Sequence, residues 1–172
     1  MRAEPSGTDR RYVYRRVRNL PLCVEEELMA TRLERTITVP GQKADVFAYV
    51  ADFSNAAEWD PGVDSSTRSE DGPLGVGDRY ALVVTFGGRS LKTRYETTAY
   101  EPTDLVRFEG GTSRFKSIDT ITFTEVDAGI EIGYVADFIL SFPLNLAEPF
   151  LKGRFNALAD EALQGLKRVL SG

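Results

Sequence analysis

Residues 117–140 read SIDTITFTEVDAGIEIGYVADFIL. Asp119, Ile121, Phe123 and Glu125 alternate with Ile118, Thr120, Thr122 and Thr124. Beyond Asp127-Ala128-Gly129 the same period continues through Ile130, Ile132, Tyr134, Ala136, Phe138 and Leu140. A side-chain period of two belongs to a strand with one buried face, and so short a glycine-containing joint permits only an antiparallel neighbour. The passage therefore predicts a hairpin. Because Ile121 and Phe123 must face inward, Asp119 is placed on the inner face with them.

The same period extends upstream through Val63–Glu70, Arg79–Phe86, Ser90–Tyr100 and Leu105–Glu109, with Gly87-Gly88 and Pro102-Thr103-Asp104 as joints. Tyr80, Leu82, Val84 and Phe86 share one inner face; Leu91, Thr93, Tyr95, Thr97 and Ala99 share the next, followed by Val106 and Phe108. One further strand precedes these, Ala30–Pro40, with Leu33, Arg35, Ile37 and Val39 on one side. Between it and Val63 lie two short helices. The first carries Val46, Phe47 and Val50 at helical spacing, and the second, Asp52 to Trp59, is closed by Asp60-Pro61-Gly62. The chain ends on a helix from about Asn145 to Leu170, in which Leu151, Phe155, Leu158, Ala159, Ala162, Leu166 and Val169 form one apolar stripe. That stripe needs one partner surface, and the antiparallel sheet supplies it.

Residues 1–28 have neither period. They hold five arginines between Arg10 and Arg18, then Pro21 and the run Glu25-Glu26-Glu27. They read as an N-terminal arm, either an unstructured basic tail or the product of a start codon placed upstream of Met29, with residues 29–172 as the folded domain. No apolar run of export-signal length follows the arginines, and Phe138–Ala147 is too short to span a bilayer, so no integral membrane association is expected.

Composition removes whole classes of chemistry. The 172 residues contain no histidine, which excludes imidazole-based triads, histidine-ligated zinc and histidine pH switches. A single cysteine, Cys23, excludes an intramolecular disulfide framework and multi-cysteine metal sites, and fits a reducing, cytoplasmic setting. The net charge of −5 argues against nucleic acid as a partner. Gly75-Val76-Gly77 lacks the third glycine of a dinucleotide fingerprint, and neither a phosphate loop nor a nucleophile elbow is present. No cofactor and no metal are expected.

The order of elements, with Val50-Ala51-Asp52-Phe53, Glu58-Trp59-Asp60-Pro61, Gly75-Val76-Gly77-Asp78-Arg79, Tyr100-Glu101-Pro102 and Asp119-Thr120-Ile121-Thr122-Phe123, resembles the START-like (SRPBCC) superfamily over roughly residues 30 to 170. The closest branch is that of polyketide cyclases, dehydrases and lipid transport proteins. The resemblance implies an α+β helix-grip fold: a seven-stranded curved antiparallel sheet around a long C-terminal helix, two short helices after the first strand, and a ligand cavity between sheet and helix. Physical reasoning leads to the same space, because one helix cannot fill a strongly twisted sheet along its whole length.

The candidate ligand contacts are Trp59, Tyr80, Tyr95, Phe108, Asp119, Phe123, Tyr134 and Phe155. For the apolar members, ordinary core packing is the plain alternative. The tyrosines bring hydroxyls that need a partner once buried. The resemblance places Trp59 at the cavity mouth, where it either gates the opening or caps the core. Asp119 is also the one catalytic candidate: an inward carboxylate binds a ligand hydroxyl, acts as a general base, or closes a buried pair with Arg94 or Arg107. Asp137 receives the same reading with less support from its neighbours. The expected function is that of a carrier or sensor for a small hydrophobic molecule, lipid, polyketide or isoprenoid-like. The alternative is a polyketide cyclase, aromatase or dehydratase using aspartate and tyrosine. A third reading is an interaction module, in which the basic arm or the segment Phe142–Leu146 meets a protein or anionic lipid; that segment also suits a homodimer contact.

Overall fold

The computed structural model describes residues 30–141 and 148–172. Strand β1 (Ala30–Val39) is followed by helix α1 (Lys43–Ala51), a single 3-10 turn (Phe53–Asn55) and helix α2 (Ala56–Trp59). Six strands come next: β2 (Val63–Arg68), β3 (Arg79–Phe86), β4 (Arg89–Glu101), β5 (Leu105–Gly111), β6 (Phe115–Val126) and β7 (Gly129–Leu140). Helix α3 (Glu148–Ser171) closes the chain. The strands form one antiparallel sheet in the order β1-β7-β6-β5-β4-β3-β2, so every neighbour except β1–β7 is also a neighbour in sequence. This is the α+β helix-grip architecture expected, with seven strands and two short helices after the first. The N-terminal arm, the Phe142–Leu146 connection and the expected first residues of the long helix, 145–147, lie outside the described residues.

The inner face carries the apolar residues that the alternation assigned to it. Ile121, Phe123, Ile132, Ala136, Val106 and Phe108 are all buried. α1 lays Val46, Phe47 and Val50 on this face, with the Phe47 ring edge-on to Tyr100 at 5.2 Å and to Phe123 at 5.3 Å between centroids. Two apolar clusters result. The larger lies beneath α1, α2 and the C-terminal half of α3; the smaller joins Leu33, Ala136 and Leu140 to Phe155 and Ala159. Tyr134 packs against both.

Three local expectations are corrected. β2 ends at Arg68 rather than Glu70. In β4 a bulge between Thr97 and Ala99 shifts the register by one, so Ala99 stands opposite the outward Arg107 and Tyr100 opposite the buried Val106. One extra residue reverses the facing of all that follow, which is why Tyr100 and not Ala99 reaches the core. On α3, Val169 is 38% exposed while Leu163 and Gly165 are buried: the stripe turns toward α2 near the end of the helix.

That turn has a steric cause. A methyl group on Gly165 would lie 1.9 Å from the carbonyl oxygen of Trp59, so the backbones of α2 and α3 approach more closely than any side chain permits. Farther along, Arg35 of β1 fastens α3 to the sheet edge, donating from Nε to Asp160 at 2.6 Å and from its terminal nitrogen to Asn156 at 2.7 Å. Gly153 of the same helix has open space where a methyl would go. Gly165→Ala should therefore destabilise the fold by about 1–3 kcal/mol, the usual result of overpacking against an unyielding backbone. Gly153→Ala should instead stabilise it by up to about 1 kcal/mol through helix propensity. Urea unfolding of the two variants checks both signs.

Candidate functional site

The two apolar clusters do not close on each other, and between them lies a cavity of about 390 Å³ under the N-terminal part of α3. Its sheet wall is built from β3, β4, β6 and β7 through Leu82, Tyr95, Ile121 and Tyr134; α3 contributes Phe155 and Ala162, and the α2–β2 corner contributes Trp59 and Asp60. Gly110 makes room for one of these walls. A methyl group there would meet the Tyr95 ring at 2.4 Å and the Arg94 carbonyl at 2.3 Å, so only glycine lets the Tyr95 ring lie across β5.

Asp119 is the polar centre. β6 places it opposite Phe108 of β5 and Ala136 of β7, and it is 6% exposed. The Tyr134 hydroxyl donates to Oδ1 at 2.7 Å, and the Ser117 hydroxyl donates to Oδ2 at 3.1 Å. Burial penalises the ionised form and pushes its pKa up to about 6, although the two hydroxyls pull the other way. Asp60 is also pushed up to about 6, again chiefly by burial, with Glu161 of α3 adding to the rise and the Gly62 amide, which donates to Oδ1 at 2.8 Å, opposing it. Tyr134 and Tyr95 are raised by burial first and by the negative charge of Asp119 second. Every resolved shift at the cavity wall points toward the neutral form.

Of the eight residues expected to meet a ligand, Trp59, Tyr95, Asp119, Tyr134 and Phe155 line the cavity. Tyr80, Phe108 and Phe123 do not. Phe108 stacks on Phe53 at 4.2 Å, Tyr80 stands edge-on to the same ring at 5.8 Å, and Phe123 sits edge-on to Phe47. These three belong to the core beneath the helical corner, on strand positions that face inward at the end where the short helices already fill the sheet. Trp59 does both: it is 5% exposed, packs against Phe53 at 6.5 Å, and also reaches the cavity. The arginine pairing considered for Asp119 is not formed. Arg107 donates instead to Thr120 at 3.0 Å on the outer face, because β5 and β6 present those two residues away from the helix. Asp137 is paired with Arg32 of β1 at 3.3 Å.

Asp60 and Ser117 were not among the expected residues. Ser117 was accessible to sequence reasoning, since it lies two positions before Asp119 and so on the same face. Asp60 was read only as a turn former, and its inward carboxyl depends on the close approach of α2 to α3. Among the described residues no group of three or more potential ligands is placed to hold a metal, and no helix is long and apolar enough to cross a membrane.

The family model for polyketide cyclase/dehydrase and lipid transport matches residues 30–171. The chain belongs to this family. No curated protein matches it. Among solved structures, it is similar to the di-domain aromatase/cyclase StfQ of the steffimycin biosynthetic pathway, with TM-score 0.68, 17% identity, and coverage of 85% of this chain and 52% of that one. The chain thus spans about half the length of StfQ. It is also similar to the ZhuI aromatase/cyclase from Streptomyces sp. R1128, with TM-score 0.66, 13% identity, and coverage of 83% and 92%. A START superfamily protein from Mycobacterium smegmatis follows at TM-score 0.61 and 16% identity, with coverage of 81% and 99%. At such identities the likeness is one of fold alone.

The raised carboxyls of the cavity have a thermodynamic consequence. Between the unfolded pKa of about 4 and the folded value of about 6, the native state holds more protons than the unfolded state, so stability falls as pH rises through this window. For Asp119 alone the loss amounts to about 2–3 kcal/mol. Asp119→Asn should abolish that share, so the stability difference between variant and wild type should shift in the variant's favour from about pH 4 to about pH 6.5. Urea unfolding of both proteins across this range is the measurement, and a pH-independent difference would contradict a raised Asp119.

Proposed function

We propose that this protein binds a small, mainly apolar molecule, lipid, polyketide or isoprenoid-like, in the cavity between sheet and C-terminal helix, as a cytoplasmic carrier or sensor. The observation that carries this reading is the composition of the cavity wall. Phenylalanine, leucine and alanine side chains surround one buried carboxyl and its hydroxyl partners, and a few polar groups on an apolar wall are the usual make-up of a small-molecule site. Removing apolar ligand surface from water contributes about 2.5 kcal/mol per 100 Å², enough for firm binding from the walls alone. Trp59, Tyr95, Asp119, Tyr134 and Phe155 are the proposed contacts, with Asp60 and Ser117 added to them.

A second reading rests on the 2.7 Å contact between Tyr134 and Asp119. A carboxyl with a pKa near 6 beside a phenol in an apolar cavity suits proton transfer at a carbon next to a ketone, with Asp119 as the base and a tyrosine hydroxyl as donor to the developing oxyanion. The likeness to StfQ and ZhuI, both aromatase/cyclases, supports this chemistry as that of a polyketide cyclase or dehydratase.

Ala162 tests the reading common to both. It lies on α3 at the cavity wall, and Ala162→Phe fills the space from the helix side. Titration with an uncharged apolar fluorophore such as N-phenyl-1-naphthylamine should show wild-type binding that weakens at least about tenfold in this variant. Unchanged uptake by a variant with native circular dichroism would count against the cavity as the site.

A further inference from the structure

Two carboxyls line the same apolar cavity from different walls, and neither forms an ion pair among the described residues. Asp119 comes from β6, and Asp60 from the corner joining α2 to β2. Their partners are neutral: the hydroxyls of Tyr134 and Ser117 for Asp119, and the Gly62 amide for Asp60. Oδ2 of Asp60 accepts no hydrogen bond from the described residues. The neighbouring charges add to the negative field, since Asp60 and Asp137 act on Asp119 and Glu161 of α3 acts on Asp60. Among the described residues the one cationic side chain on the wall is Arg114 in the β5–β6 turn, which is exposed. Asp119 is buried and Asp60 half-buried; carboxylates withdrawn from water without a counter-charge are costly, and a fold keeps them where something else supplies the missing donors.

Resting on the ligand-binding reading above, we propose that the bound molecule delivers a hydrogen-bond-donating end, a protonated amine or a hydroxyl, to Asp119 and Asp60, and that a ligand ending in a carboxylate is rejected. Each Asp119 oxygen already holds one donor and retains lone-pair capacity toward the cavity, while Asp60 holds one donor on a single oxygen. A cationic or hydroxylic donor is accepted by either carboxyl. A carboxylate would bring a third negative charge into a low-dielectric space that already has two, a repulsive discrimination that needs no additional contact. Apart from Thr85, Thr112 and the exposed Arg114, the remainder of the wall is apolar or aromatic, so class selection falls on this polar end.

The test is calorimetric titration of the wild-type protein at about pH 7.5 with decylamine, decan-1-ol and decanoate, three probes that share one chain. The expected order is amine, then alcohol, with both at least about tenfold tighter than decanoate. Asp60→Asn and Asp119→Asn should each narrow the gap between decylamine and decanoate. Equal affinities, or a preference for decanoate, would overturn the ligand class and leave the cavity reading standing. Binding of none of the three would overturn the cavity reading itself. Decylamine binding that survives Ala162→Phe would place the amine on the acidic surface and overturn the proposal; the wild-type ranking decides even if an aspartate variant does not fold.

Discussion

A curled seven-stranded sheet presents more concave surface than one helix can cover, and the described structure follows from how that surface is shared. At one end the short helices α1 and α2 fill the curve, with Phe47, Phe53 and Trp59 packed against the inner faces of β3 to β6. At the other end α3 rests on β1 and a smaller apolar cluster. Neither filling reaches the middle. The glycine contact between α3 and the Trp59 carbonyl fixes how near the two helical layers come, and so the height of the space left beneath them. The cavity is the remainder of a packing problem, held open by backbone contacts that cannot collapse.

Into that remainder the sequence puts groups that an ordinary core avoids. A core of this size could have closed around Asp119 with an apolar residue and avoided the desolvation penalty. Instead the carboxyl is kept, satisfied by two hydroxyls rather than by an arginine, and joined by a second carboxyl from another element. Polar groups kept in a cavity at a cost in stability are concentrated at functional sites, and this is the ground on which the site is proposed here. The family description joins lipid transport and polyketide chemistry, which make different demands on such an arrangement: a carrier would use it to select a polar end, and an enzyme to move a proton.

Much of this was legible in the sequence because a period of two leaves little freedom. Once Ile121 and Phe123 face inward, Asp119 must follow, and the structure places it there at 6% exposure. What the sequence concealed arises from contacts between elements distant in the chain. Nothing around Thr97 announces the bulge that turns Tyr100 inward, since the alternation is equally good on either side of it. Facing also does not distinguish core from cavity. Phe108 and Tyr95 are both inward aromatics on neighbouring strands and both meet Phe53, but Phe108 lies stacked beneath that ring at 4.2 Å while Tyr95 meets it tilted at 5.4 Å and also lines the space. Asp60 lay within a motif read for its turn, and its carboxyl belongs to the site through the approach of α2 to α3.

The central claim is that the space between sheet and helix holds an apolar molecule. Native mass spectrometry of the protein purified from its own host, followed by denaturing extraction of whatever is bound, addresses it most directly. The account predicts a co-purifying organic mass, mainly apolar and bearing a hydroxyl or amine. A protein that emerges at its polypeptide mass alone, and stays so after incubation with the host's lipid extract, would contradict it.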